Sequence, residues 1–147
     1  MVVYLILQKR VGYHLMAKIK VYSMPVGEKG RIKEIENDLK TFQSEVGGYI
    51  EILSIDKECT LDLVCNEMGK INNLPLNRAW LFEGEVVEVI AGNCFITRHD
   101  EDGGSASIEE SDMPKIEETL KQMVGIFGGT IVLVKEDDQD AQQGTSK

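Results

Sequence analysis

Apolar and polar residues alternate along the first part of the chain, a pattern typical of half-buried β-strands. Lys18–Met24 alternates in this way, and Arg31–Glu36 does so again. Residues 25–30 between them contain one proline and two glycines, which favour a loop. The sequence therefore predicts two strands joined as a hairpin.

Two helices are predicted from apolar spacing and capping residues. Asn37 or Asp38 begins the first helix, which runs to Val46 and ends at a pair of glycines. The second helix spans residues 107–124, where Ser107 and Glu110 have the spacing of a capping box. Pro114 fits poorly inside that helix, so a start near residue 112 is the alternative.

The remaining strands are shorter and separated by turns. Residues 49–55 and 59–65 predict a second hairpin, followed by a loop over residues 66–73 and a turn or single helical turn over residues 74–79. Further strands are predicted at residues 80–82, 86–90, 93–97 and 130–134, and residues 100–105 predict an exposed loop.

These elements indicate an α+β fold, with a small antiparallel or mixed β-sheet of six to seven short strands and two helices. We expect a single α+β domain over residues 16–135. Residues 1–15 predict an N-terminal extension or an edge strand, and residues 136–147 a disordered acidic and polar tail. The exposed strand at residues 130–134 favours a homodimer formed by strand pairing.

Charge is distributed unevenly along the 147 residues, whose net charge is −9. Residues 1–99 hold 13 acidic and 12 basic side chains, whereas residues 100–147 hold 12 and 4. A negative field of this kind repels nucleic acid and attracts basic protein surfaces. The candidate partner-binding residues are Asp100, Glu101, Asp102, Glu109, Glu110, Asp112, Glu117 and Glu118.

The sequence predicts neither an enzyme nor a membrane protein. It contains no nucleophile, metalloprotease or phosphate-loop motif, and no apolar run approaches the ~20 residues that span a bilayer. Three widely spaced cysteines, Cys59, Cys65 and Cys94, indicate reduced structural thiols in a cytoplasm. We therefore expect no metal site and no cofactor.

A second hypothesis is a small-ligand site in the middle of the chain. Arginine and asparagine side chains near strand ends suit phosphate or purine edges, and an aromatic ring suits stacking. The candidate ligand-binding residues are Asn66, Asn77, Arg78, Phe82 and Asn93. A role in satisfying backbone groups of turns is the alternative for the asparagines and the arginine.

Three sequence pieces resemble the domain of unknown function 3846 family. They are GGYIEIL (residues 47–53), LVCNEMGKINNLPLNRA (63–79) and VIAGNCFI (89–96), with the preceding strands and helix from about Ile19. That family is borne by phages and mobile elements, mainly of Gram-positive bacteria, and it supplies no catalytic residues to carry over.

The resemblance implies an accessory protein that works in the cytoplasm of a bacterial host. Together with the acidic last third, it suggests a non-enzymatic antagonist of bacterial defence that blocks a basic nucleic-acid-binding surface, such as that of a CRISPR nuclease. The alternatives are a sponge for a nucleotide immune signal (a cyclic nucleotide or ADP-ribose derivative) and a structural or regulatory protein that binds another phage component.

Overall fold

The computed structural model describes residues 18–135, so the segments predicted as an extension (1–15) and a tail (136–147) lie outside the described residues. Within that range the chain forms ten strands, two α-helices and a short 3₁₀ helix. The strands are β1 (Lys18–Met24), β2 (Arg31–Glu36), β3 (Ile50–Ser54), β4 (Leu61–Asn66), β5 (Leu76–Phe82), β6 (Glu85–Ala91), β7 (Cys94–His99), β8 (Ser105–Ala106), β9 (Leu120–Phe127) and β10 (Thr130–Leu133). The helices are α1 (Leu39–Val46) and α2 (Met113–Thr119), and the 3₁₀ helix is Glu110–Asp112.

Six strands form one antiparallel sheet in the order β2-β1-β7-β4-β3, with β8 also paired to β7. The two predicted hairpins are confirmed: Lys18 lies opposite Glu36, and Ile50 lies opposite Asn66. Strand β7 joins them by pairing with β1 on one side and β4 on the other. The centre of this sheet is therefore built from strands distant in sequence.

Helix α1 covers one face of the six-stranded sheet. Asp38 begins it as an N-cap, accepting a backbone hydrogen bond at 2.7 Å, and Gly47 ends it with a φ of 78°. The Phe42 ring meets Phe95 of the sheet edge-on, with ring centroids 5.0 Å apart. The buried residues of this layer are Ile19, Val21, Ile35, Phe42, Val46, Val64 and Phe95.

The opposite face of the six-stranded sheet packs against a second antiparallel sheet, with strand order β10-β9-β5-β6, and against α2. The core between them contains Met24, Ile55, Leu61, Leu63, Cys65, Ile90, Cys94, Ile96, Ile108, Ile116 and Leu120. Every residue of β4 is buried, because its sheet is covered on both faces.

The helix predicted over residues 107–124 is wrong beyond residue 119. Helix α2 spans only Met113–Thr119, and β9 begins at Leu120. Leu120 and Met123 are buried, as the helical spacing implied, but they are buried from a strand. Leu120 lies opposite Trp80 of β5, so pairing with a strand some forty residues earlier overrides the local helical pattern.

The start of that helix also differs from the capping box predicted at residue 107. The Ser107 hydroxyl accepts a hydrogen bond from the Lys20 backbone nitrogen at 2.9 Å. Reciprocal capping is made instead by Glu109 and Asp112 around the 3₁₀ helix. Pro114 lies in the first turn of α2, in agreement with the alternative start near residue 112.

The predicted turn at residues 74–79 is wrong as well, because Leu76–Phe82 forms β5. This strand pairs with β6 on one side and β9 on the other, and its register is irregular between Leu76 and Arg78. A bulge of this kind explains why the segment lacks clean alternation in the sequence.

The α+β class is confirmed by two helices and two antiparallel sheets. The described residues contain more strands than the six or seven expected. Two of them lie outside every predicted strand range: β8, which has two residues, and β9, which replaces the second half of a predicted helix.

We predict that Phe42→Ala lowers the free energy of unfolding by about 3–5 kcal/mol, because it leaves a cavity against Phe95. Tyr49→Ala is the matched control, since Tyr49 is 71% exposed and its loss should change stability by less than about 0.5 kcal/mol. Urea unfolding followed by circular dichroism measures both. Equal effects of the two variants would contradict the packing described for α1.

Candidate functional site

Asn77 lies near the start of β5, and its side chain links the two sheets. Its Nδ2 donates hydrogen bonds to the carbonyl oxygen of Met24 in β1 at 2.7 Å and to that of Gly92 at 2.8 Å. Asn77 is 1% exposed, so these bonds form away from water, where leaving either partner unpaired is costly. The amide therefore joins β5 to the six-stranded sheet.

Arg78 continues this network into the loop between β1 and β2. Its Nη1 donates to Oδ1 of Asn77 at 2.6 Å, and its Nη2 donates to the Glu28 carbonyl oxygen at 2.7 Å. Arg78 is 3% exposed, and burial lowers the pKa of its guanidinium, while Cys94 and Tyr22 act in the opposite direction. Neutral oxygens therefore accept the hydrogen bonds that this buried cation makes within residues 18–135.

Asn93 also bonds to the loop between β1 and β2. Its Oδ1 accepts a hydrogen bond from the Val26 backbone nitrogen at 2.9 Å. Asn77, Arg78 and Asn93, three of the predicted ligand-binding residues, thus converge on residues 24–28. Their polar atoms are engaged by the protein backbone, which matches the alternative stated for them from sequence.

The other two predicted ligand-binding residues lie elsewhere. Asn66 donates to the Val46 carbonyl oxygen at 3.1 Å and accepts from the Met68 nitrogen at 2.8 Å. Phe82 is half-exposed at the end of β5. Asn66 and Phe82 line separate cavities, and the lining of neither includes the three residues that hold the loop. Nucleotide binding through all five residues stays a prediction that this placement does not favour.

The cavity beside Asn66 measures about 260 Å³ and lies between the β3–β4 hairpin and β6. Lys70 and Glu88 form an ion pair on its wall, and the Lys70 hydrogen bond lowers the pKa of the Glu88 carboxyl. Burial, with Glu51 and Glu88 nearby, raises the pKa of the Cys65 thiol to about 11. The thiol therefore stays protonated at neutral pH and is a poor nucleophile.

The cavity beside Phe82 measures about 310 Å³ and lies among the β3–β4 turn, the β5–β6 turn and α2. Glu118 lines it together with Glu58 and Glu83, two exposed acidic residues that were not among the predicted site residues. Lys57 and Lys115 line it as well. In the sequence, Glu58 and Glu83 could be found only as members of acidic turns at residues 56–58 and 83–85. No local pattern indicated that these turns lie beside α2.

Two of the eight predicted partner-binding carboxylates, Asp112 and Asp100, are not fully exposed and are used within the fold. Asp112 is buried and accepts hydrogen bonds from Nε and Nη2 of Arg98, each at 2.9 Å. Asp100 accepts hydrogen bonds from the backbone nitrogens of Asp102 and Gly104, which closes the turn after β7. A short carboxylate that binds its own backbone contributes little to a partner surface.

The other six predicted carboxylates are exposed: Glu101, Asp102, Glu109, Glu110, Glu117 and Glu118. Four of them lie in residues 109–118, which we call the acidic segment. Lys115 is the basic residue within the segment. Nη2 of Arg98 in β7 lies 3.8 Å from Oε1 of Glu109, but Arg98 pairs mainly with Asp112. The segment therefore presents carboxylates in excess to solvent.

Arg98 and His99 each lie against a buried aspartate, Asp112 and Asp62 respectively. Nδ1 of His99 lies 2.8 Å from Oδ2 of the buried Asp62, a contact that is an ion pair when the imidazole is protonated. The neighbouring Thr97 hydroxyl is buried and has no hydrogen-bond partner within the described part of the chain. Among residues 18–135, no group of three or more His, Cys, Asp or Glu side chains is arranged to hold a metal ion.

A family model described as a domain of unknown function, DUF3846, matches residues 19–121. The chain belongs to this family. The DUF3846 match runs from β1 to the second residue of β9, so it contains the Asn77–Arg78 network and the acidic segment, and it leaves most of β9 and all of β10 outside. No curated protein and no solved structure matches the chain significantly. Among the described helices, none is long and apolar enough to cross a membrane.

We predict that Asn77→Ala lowers the free energy of unfolding by about 3 kcal/mol, because it leaves the Arg78 guanidinium and two buried carbonyl oxygens without their shared partner. Asn93→Ala removes one bond at an exposed residue and should cost about 1 kcal/mol. Chemical unfolding of both variants measures the difference. A loss at Asn77 no larger than that at Asn93 would contradict the linking role.

The three thiols should differ in reactivity. Cys59 is exposed, whereas burial raises the pKa of Cys65 to about 11 and that of Cys94 to about 12. At pH 8 we expect iodoacetamide to modify Cys59 alone in the folded protein, as read by peptide mass spectrometry.

Because the pKa values of Cys65 and Cys94 are raised in the folded protein, the contribution of these two thiols to stability is complete below pH 9.0 and is lost as the pH rises towards 11–12. Modification of Cys94 at the rate of Cys59 would contradict the burial and raised pKa of Cys94 on which both expectations rest.

Proposed function

We propose that this protein acts by binding, without turning over a substrate, and that its acidic segment docks on a basic surface of a partner protein. In the phage and mobile-element setting that the family resemblance implies, the partner is a nucleic-acid-binding effector of a bacterial defence system, such as a CRISPR nuclease. The protein blocks that surface in the cytoplasm of the host.

The observation that supports the proposal is the exposure of Glu109, Glu110, Glu117 and Glu118 on one ten-residue segment. The rigid part of the fold holds this segment in place, since Asp112 pairs with Arg98 of β7 and Ile116 is fully buried in the core. A segment whose backbone is already ordered loses little backbone entropy on binding, which favours affinity.

The surroundings of the segment extend its negative character. Glu118 shares the 310 Å³ cavity with Glu58 and Glu83, and the aromatic ring of Phe82 lies on the same wall. Carboxylates beside an exposed ring suit lysine and arginine side chains, which pair with the former and stack on the latter. Charge matching of this kind mainly speeds association and weakens with salt.

We predict that reversing four charges of the acidic segment (Glu109→Lys, Glu110→Lys, Glu117→Lys and Glu118→Lys) abolishes partner binding while leaving the fold intact. A matched control makes the same change in net charge at four other exposed glutamates: Glu34, Glu36, Glu51 and Glu85. Affinity capture from bacterial lysate, with mass spectrometry of proteins and small molecules, compares the two variants with the unmodified protein.

The proposal requires a nucleic-acid-binding protein that the unmodified protein and the control variant retain and the segment variant loses. Circular dichroism establishes that both variants are folded. Equal capture by both variants would sink the role of the acidic segment, and a retained nucleotide with no retained protein would favour the sponge instead. Raising the salt concentration should release the captured protein.

A further inference from the structure

Strands β9 and β10 extend beyond the four-stranded sheet as a two-stranded ribbon. Strand β9 pairs with β5 only through Leu120, Lys121 and Gln122, and from Met123 onward it pairs with β10. We call residues 123–133 the ribbon. An isolated two-stranded ribbon is at best marginally stable in water, so this part of the fold needs further contacts.

Both faces of the ribbon carry exposed apolar side chains. Ile126 lies opposite Ile131 on one face, and Val124, which stands at a register shift between the two strands, is 59% exposed. Val132 lies opposite Gly125 on the other face, and the Phe127 ring, 60% exposed, lies against Gly125. A surface of this kind on both sides of one hairpin is typical of an interface.

The outer edge of the ribbon also differs from the other three sheet edges. Among the described strands, β2, β3, β6 and β10 end the strand orders of the two sheets, and β8, which has only two residues, pairs with β7 alone. Charged residues stand on three of them: Arg31, Lys33, Glu34 and Glu36 on β2, Glu51 on β3, and Glu85 and Glu88 on β6. Strand β10 carries no charge and no proline. Charges on an edge prevent strand pairing with another chain, and β10 lacks this protection.

Charge also indicates what covers the edge. Residues 122–134 are the longest stretch of the sequence without a charged side chain, and Lys121 and Lys135 flank it. Two copies of a chain with net charge −9 repel each other through most of their surface. The side chains of the ribbon itself add no charge to this repulsion. A basic partner, by contrast, gains no charge pairing from side chains that carry no charge.

We propose that a second copy of this chain pairs with β10 across a two-fold axis, so that the two four-stranded sheets become one eight-stranded antiparallel sheet. The backbone groups on the outer edge of β10 bond to the same groups of the other copy, and the side chains of Val132 and its neighbours meet across the axis. The interface is isologous and closed, which leaves no free edge at the ribbon. It is independent of the partner proposed above.

Light scattering coupled to size-exclusion chromatography tests this with the full-length chain over a concentration series. The unmodified protein should have twice the 16.4 kDa mass of one chain. Val132→Lys places a charge on the proposed interface and should halve that mass. Val87→Lys, at a 57% exposed position on the β6 edge, is the matched control and should leave the doubled mass unchanged.

Hydrogen exchange of the unmodified protein gives a second measurement, which holds even when Val132→Lys fails to fold. Amides of residues 130–134 that point away from β9 should exchange slowly at high concentration and faster on dilution. A single-chain mass at every concentration, a doubled mass in folded Val132→Lys, or exchange that dilution does not change would each overturn the proposal.

Discussion

The buried amide of Asn77 in β5 sets the relation between the two sheets, because its one nitrogen donates to the carbonyl oxygens of Met24 in β1 and of Gly92 in the β6–β7 connection. The same residue accepts from Arg78, whose other hydrogen bond fixes the loop after β1. The guanidinium is tolerated in the core only while this amide and the Glu28 carbonyl accept its hydrogen bonds. One short polar network thus keeps β5 in place, and β5 in turn pairs with β9 and supports α2.

The acidic residues divide by side-chain length. Asp38 caps α1, Asp56 closes the β3–β4 turn through Thr60 and Leu61, and Asp100 and Asp112 bind backbone or Arg98. Glu110, Glu117 and Glu118 reach solvent instead, whereas Glu109 is exposed and also caps the 3₁₀ helix. An aspartate carboxylate lies close enough to its own backbone to accept hydrogen bonds in turns and caps, whereas the longer glutamate does so less readily. Of the predicted acidic site, the glutamates are therefore the part available to a partner.

Local signals predicted much of the fold, and non-local pairing accounts for what they missed. Alternation and the residues Asp38 and Gly47 were sufficient for β1, β2 and α1, since those elements are specified within a few residues. Leu120 and Met123 fit a helix equally well, and only the pairing of β9 with β5 decides against it. For the site, the sequence indicated that Arg78, Asn77 and Asn93 work together. It offered bonding to backbone groups as the alternative role, but it could not indicate which backbone oxygens accept, because Met24 and Glu28 lie about fifty residues earlier.

The family boundary falls between the two regions for which binding is proposed. The DUF3846 match ends at residue 121, just where β9 leaves β5 and the neutral ribbon begins. The acidic segment lies inside the match, and the uncharged edge lies outside it. A dimer formed through the ribbon carries two acidic segments on one rigid sheet, and a partner with two basic sites would then bind with an avidity that neither segment provides alone. Since the ribbon bears no charge, salt would weaken the contact with the partner and leave the contact between the two copies largely intact.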